Sequence, residues 1–147
     1  MFKHILVPTD GSKLSAKAAK QAVMLAKTLG ARITGFYAAP DYSSTYYSDG
    51  YILHAPSAKA QAEFAQEHAR KWLSAIEVEA EVEKVPCEVF HVVSDSPYEA
   101  IIDAAKKKKC DLIFMASHGR RGLSGLVLGS ETQKVLTHSK IPVLVCR

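Results

Sequence analysis

Short apolar runs of strand length alternate with longer stretches of helical period along this chain, and that alternation leaves few folds open. Ile5, Leu6 and Val7 form an unbroken apolar run within residues 2–8, as a strand covered on both faces requires. Thr9, Asp10, Gly11 and Ser12 mark a turn with Ser12 as helix cap. Leu14, Ala18, Ala22, Leu25 and Leu29 then recur at steps of three and four, one stripe of a helix that Gly30 can end. Residues 31–39, with Ile33, Phe36 and Tyr37, read as a second strand. Ser57 can cap a second helix whose inward stripe is Ala58, Ala62, Ala65, Ala69, Trp72 and Ile76, which places the tryptophan in the core.

The same pattern continues to the end. Residues 87–93 predict a third strand, and Ser96 with Pro97 supplies the cap and first residue of a helix that turns Ile101, Ile102 and Ala105 inward and closes on the lysines of 106–109. Residues 112–115 predict a fourth strand, Thr132, Val135 and Leu136 a last helix, and 142–146 a fifth strand. Five strands alternating with four helices call for a parallel sheet wound on both faces. Ligands of such sheets sit beyond the carboxyl ends of the strands where strand order reverses, here between strands one and four.

A length of 147 residues gives one domain over 1–147, and 48% apolar with 23% charged residues is ordinary for a globular chain. Nineteen Lys and Arg against fifteen Asp and Glu leave +4, too mild for a dedicated nucleic-acid binder, so no nucleic-acid partner is expected. No apolar run is long enough for a bilayer and the structured pattern starts at once, from which a cytoplasmic location without membrane attachment is expected. Cys87, Cys110 and Cys146 form no C-x-x-C pair and read as reduced, buried thiols. Residues 40–56 lack apolar periodicity and carry Tyr42, Tyr46, Tyr47 and Tyr51, a long loop that reads as a lid, a contact surface or a plain surface excursion.

The densest local signal is 116–130, where Gly119, Gly122, Gly125 and Gly129 fall between a buried strand and a helix. Glycines let the backbone approach a ligand closely, and the unpaired N–H groups that open the next helix suit phosphate. No G-x-x-x-x-G-K-S/T occurs, and the first turn has Gly11 alone where a dinucleotide fold would show G-x-G-x-x-G, so P-loop motors and nicotinamide enzymes are excluded.

Ala116-Ser-His-Gly119, nine residues, then Gly129-Ser130 resembles the G-x-x-G, nine residues, G-S/T signature of nucleotide-binding members of the universal stress protein family. The likeness extends to the opening run from Ile5 to Ser12, to the closing run from Ile141 to Cys146, and to the order of elements between. The resemblance implies a Rossmann-like, adenine nucleotide alpha hydrolase-like fold with strand order 3-2-1-4-5, and an ATP site between strands one and four. It places Pro8, Thr9 and Asp10 on one wall, with Asp10 near the phosphates and Mg²⁺. Pro8 and Ala38 would line the adenine and ribose end, and Met115 and Ala116 would continue that wall. Gly119 and Gly129 would approach the phosphates, and the Ser130, Glu131 and Thr132 backbone, with the Ser130 and Thr132 hydroxyls, would complete an anion cradle. It also implies a homodimer through the C-terminal strand, stress-linked regulation through an unidentified protein partner, and little or no turnover.

Two residues depart from the family pattern. Ala116 stands where the first motif glycine belongs: in a left-handed backbone its Cβ would cost about 1–2 kcal/mol, whereas at negative φ the methyl only narrows the pocket. Glu131 either brings negative charge to the cradle or turns to solvent and favours the helix dipole. His118, beside Arg120 and Arg121, has neither a carboxylate partner nor a nucleophile to assign, and no serine sits in a G-x-S-x-G elbow. The six histidines show no metal-ligand spacing, and the lysines of 106–109 suit a helix C-terminus. Three other readings remain: a slow ATP hydrolase or self-phosphorylating protein using Asp10 and His118, a phospho-receiver with Asp95 as acceptor, and an interaction module whose site Ala116 closes.

Overall fold

A computed structural model of the chain describes residues 1–41, 57–120 and 128–147. In chain order these form β1 (His4–Pro8), α1 (Lys13–Leu29), β2 (Arg32–Ala39), α2 (Ala58–Val82), β3 (Cys87–Val93), α3 (Pro97–Lys107), β4 (Leu112–Ala116), α4 (Ser130–His138) and β5 (Val143–Cys146). The tyrosine-rich residues 42–56, expected as a long loop, and residues 121–127, with Gly122 and Gly125, lie outside the described residues.

β1 is buried at every position because it pairs on both edges and is covered on both faces. The sheet is parallel throughout, in the order β3-β2-β1-β4-β5. The chain thus builds outward from β1 to β3 and then returns to the other side of β1, so the strand order reverses between β1 and β4, as expected. Successive strand residues point to opposite faces. Ile5, Val7, Ile33, Tyr37 and Phe114 meet α1 and α2 on one side, while Leu6, Phe36, Ile113 and Met115 meet α3 and α4 on the other.

α1 begins where the Ser12 hydroxyl accepts the Ser15 N–H and ends at Gly30, whose φ of 62° suits a glycine. Its buried face is mainly alanine, Ala18, Ala19, Ala22 and Ala26 around Val23, with Leu14, Leu25 and Leu29 only partly buried. Ser57 caps α2 as expected, but the buried stripe is Ala65, Ala69, Leu73, Ile76 and Ala80. Ala58 and Ala62 are exposed, and Trp72 is half-buried at the edge of the core instead of inside it. Ser96 and Pro97 open α3, yet the Ser96 side chain makes no capping bond.

Cys87, Cys110 and Cys146 are free, and burial pushes the Cys87 and Cys110 thiols up to about 11, the range of an inert thiol. No helix among the described residues is long and apolar enough to cross a membrane. At the amino end of the sheet the buried His4 sets its Nε2 2.7 Å from the Thr34 hydroxyl, which donates to Glu88. Burial, then the nearby Arg32 charge, holds His4 below its ordinary pKa.

Candidate functional site

One wall of the crevice is the turn that follows β1. The Thr9 N–H donates to the Phe36 carbonyl at 2.8 Å, which carries the β1–β2 pairing one residue past Pro8. Asp10 then closes a local turn, its Oδ1 accepting the Ser12 N–H at 3.0 Å. Gly11 is needed twice over: its φ is 76°, and a Cβ there would stand 2.1 Å from the Trp72 ring.

The other wall follows β4. The Ser117 N–H donates to the Cys146 carbonyl at 2.7 Å, and the Gly129 N–H donates to the Ser117 carbonyl at 2.7 Å, so Ser117 and Gly129 are held side by side. A Cβ on Gly129 would lie 3.1 Å from the His118 Cα. This pairing brings the amino end of α4 against Ser117 and His118. The cap of that helix is Gly129, which has no side chain to accept the first-turn amides, and these stand at the positive end of the dipole.

The two walls touch. Asp10 Oδ2 accepts the Arg120 N–H at 2.8 Å, and a Cβ on Gly119 would fall 2.1 Å from that same oxygen. Gly119 is therefore a glycine because Asp10 occupies the space beside it. Partial burial raises the Asp10 pKa, but hydrogen bonds from Ser12, the Arg120 amide and Ser15 outweigh it and leave the carboxyl below its usual range. The Arg120 guanidinium lies 4.1 Å from the centre of the Trp72 ring. Trp72 in turn stacks on His68, centroids 5.0 Å apart and planes 9° apart, and meets Tyr37 edge-on at 4.8 Å.

The residues expected at the site gather at this end of the sheet: Pro8, Thr9 and Asp10 at the end of β1, Ala38 near the end of β2, Met115 and Ala116 closing β4, and Gly119 with Gly129–Thr132 beyond. Ala116 lies within β4, and the only non-glycine residues at positive φ among those described are Lys84 and Lys109. Its methyl therefore carries no left-handed strain and only narrows the space. Thr132 departs from expectation, because its buried hydroxyl donates to the Ala116 carbonyl at 3.0 Å and serves to anchor α4.

Glu131 stands in the first turn of α4, where its charge favours the helix dipole, but it does not turn to solvent. Its Oε2 accepts the Tyr98 N–H of α3 at 2.9 Å and its Oε1 meets Lys134 Nζ at 2.9 Å, so the carboxylate caps the neighbouring helix whose own Ser96 fails to. Its charge is accounted for away from the cradle. His118 Nδ1 is 3.1 Å from the Ser117 hydroxyl, but Ser117 is 1% exposed, unsuited to act as a nucleophile. Among the described residues no three His, Cys, Asp or Glu side chains cluster to hold a metal. A separate groove of about 290 Å³ lies between α3 and α4, lined by Tyr98, Ile102 and His138 among others, and none of the expected site residues line it.

Sequence reasoning missed Trp72 and His68 as rim residues. Helical spacing places Trp72 with Ala69 and Ile76, and the only hint of its position is Gly11, whose partner lies 61 residues away.

The sequence model of the Universal stress protein family matches residues 1–147. The universal stress protein MJ0577 of Methanocaldococcus jannaschii is 32% identical over 156 residues, covering 100% of this chain and 96% of its own. Its solved structure superposes with a TM-score of 0.76 over 99% of this chain and 95% of that one, at 26% identity. A universal stress protein solved in complex with cAMP has a TM-score of 0.73 at 22% identity, covering 99% and 97% of the two chains. One from Archaeoglobus fulgidus in complex with dAMP has a TM-score of 0.64 at 18% identity, covering 99% and 98%.

Proposed function

This chain belongs to the universal stress protein family, and from that membership we propose that it binds ATP with Mg²⁺ in the crevice between β1 and β4 and acts as a cytoplasmic, homodimeric stress-response regulator. One observation carries the reading. The motif ends Ala116–Gly119 and Gly129–Ser130, nine residues apart, are brought together by the Gly129 N–H bond to the Ser117 carbonyl, with the amino end of α4 beside them. Two relatives of this fold are solved with adenine nucleotides, cAMP and dAMP.

In this reading the Ser130, Glu131 and Thr132 amides bind the phosphates, with Gly119 and Gly129 permitting close approach. Three charge-assisted bonds at about 1.5–3 kcal/mol each would supply over half of the roughly 8 kcal/mol of a micromolar complex. Pro8, Thr9, Ala38, Met115 and Ala116 frame the nucleoside. Asp10 stays ionised, which suits its carboxylate to one contact with a Mg²⁺ whose other ligands are phosphate and water. Bound Mg²⁺ would neutralise phosphate charge beside that carboxylate.

The buried Ser117 and the absence of an assigned general base favour a binding protein over an enzyme, with slow hydrolysis or self-phosphorylation as the alternative. Homodimerisation is supported by β5 standing at the sheet edge with Leu144 exposed and Val143 and Val145 half-buried, a strand that self-pairing would cover. Native mass spectrometry of the purified protein reads nucleotide and subunit number together, and a dimer carrying ATP is the expected species. Titration with labelled ATP beside Ala116→Gly tests the site: no binding in the parent with recovery in the variant would make the chain an interaction module instead.

A further inference from the structure

Arg120 has a geometry that the nucleotide reading leaves unused. Its backbone is pinned to the crevice by the bond from its N–H to Asp10, while the guanidinium of its exposed side chain lies over the Trp72 ring. The indole is held by His68 stacked on it and by the edge contact with Tyr37, in space that Gly11 leaves open by lacking a Cβ. Among the described residues no carboxylate pairs with the guanidinium. A full positive charge at the rim of an anion cradle thus rests on an aromatic face, with no counter-ion among the described residues.

We propose that Arg120 is the residue that distinguishes polyphosphate from monophosphate nucleotides, and that Trp72 is the platform on which it rests until a polyphosphate arrives. The proposal rests on the nucleotide reading above. An exposed cation–π contact is weak, whereas a phosphate offers a guanidinium paired, charge-assisted hydrogen bonds in the geometry of its fork. The exchange therefore favours phosphate whenever phosphate comes within reach. Reach is set by the fold: Ser117 bonds to Gly129 at the start of α4, and Arg120 lies three residues beyond Ser117. A single phosphate near the nucleoside is served by the amides of α4, and the outer phosphates of ATP are the ones left for a longer side chain.

The chain has one tryptophan, so tryptophan emission reports the surroundings of Trp72, of which the Arg120 contact is the part an arriving phosphate would remove. The test pairs Trp72 emission with equilibrium dialysis for Mg·ATP and for AMP, in the parent and in Arg120→Gln. In the parent, ATP is expected to shift Trp72 emission and AMP to bind without the shift. Arg120→Gln should weaken ATP about tenfold, leave AMP unchanged, and give the unliganded protein the emission of the ATP-bound parent. Dialysis in which ATP binds the parent with unaltered emission, or in which Arg120→Gln weakens ATP and AMP equally, overturns the role of Arg120 and leaves the nucleotide site standing. Dialysis in which neither nucleotide binds the parent overturns both.

Discussion

Gly119→Ala is the substitution that most directly tests how the crevice walls are joined. A Cβ at that position would sit 2.1 Å from Asp10 Oδ2, so the oxygen must retreat about 1.3 Å to reach ordinary contact at 3.4 Å. The Arg120 N–H bond to that oxygen, 2.8 Å in the parent, cannot survive such a shift. A hydrogen bond to a charged group contributes about 1.5–3 kcal/mol. Gly119 is not at positive φ among the described glycines, so alanine also lowers the entropy of the unfolded chain and returns about 0.4–1 kcal/mol. The balance is a loss of about 1–2 kcal/mol, or about 3–6 °C in Tm for a chain of this size. Urea and thermal unfolding of the parent, Gly119→Ala, Asp10→Ala and the double variant measure the coupling. With Asp10 gone, the added methyl meets open space and should be neutral or slightly stabilising. The same penalty in both backgrounds would refute the contact, and so would a Gly119→Ala variant as stable as the parent.

Other outcomes follow from individual contacts. Stability should fall as pH drops, with His4 contributing a higher step and Asp10 a lower one. His4, held below its ordinary 6.5, is neutral in the fold, so stability declines below pH 6.5 as the unfolded chain takes up that proton. Asp10, held below its ordinary 3.8, contributes stability above that value that is lost as pH falls through its folded pKa, and Asp10→Asn should flatten only this lower step in urea midpoints measured against pH. Glu131→Ala removes the carboxylate that accepts the Tyr98 N–H and should destabilise by about 0.5–2 kcal/mol, with faster amide exchange confined to the start of α3. Gly30→Ala at φ 62° has open space around it and should cost about 1–2 kcal/mol, while Gly11→Ala at φ 76° meets Trp72 at 2.1 Å as well and should cost more and shift Trp72 emission, read by fluorescence-monitored unfolding.

The framework was legible wherever a local rule governs it. Strands buried on two faces read as continuous apolar runs, Ser12, Ser57 and Gly30 follow capping chemistry, and the parallel sheet with its reversal between β1 and β4 follows from the alternation of elements. What escaped is set by contacts between distant segments. Asp10 and Arg120 are 110 residues apart, and no spacing rule joins them. Periodicity places Trp72 inward with its neighbours but cannot say that it stands at the lip of the sheet. Ser96 occupies the right place for a cap and loses that role to Glu131, which approaches from another helix 33 residues beyond Tyr98. The state of Ala116 depended on one backbone angle, and the strand around it decided the matter.

The alanine face of α1 has a mechanical consequence. A helix that rests on Ala18, Ala19, Ala22 and Ala26 has its height above the sheet set by backbone and methyl groups, with few rotamers available to absorb a push. The turn from Thr9 to Ser12 is welded to that helix through Ser15. It serves as the fixed jaw of the crevice, and whatever opening a ligand demands must come from the opposite jaw, which Asp10 grips by a single amide.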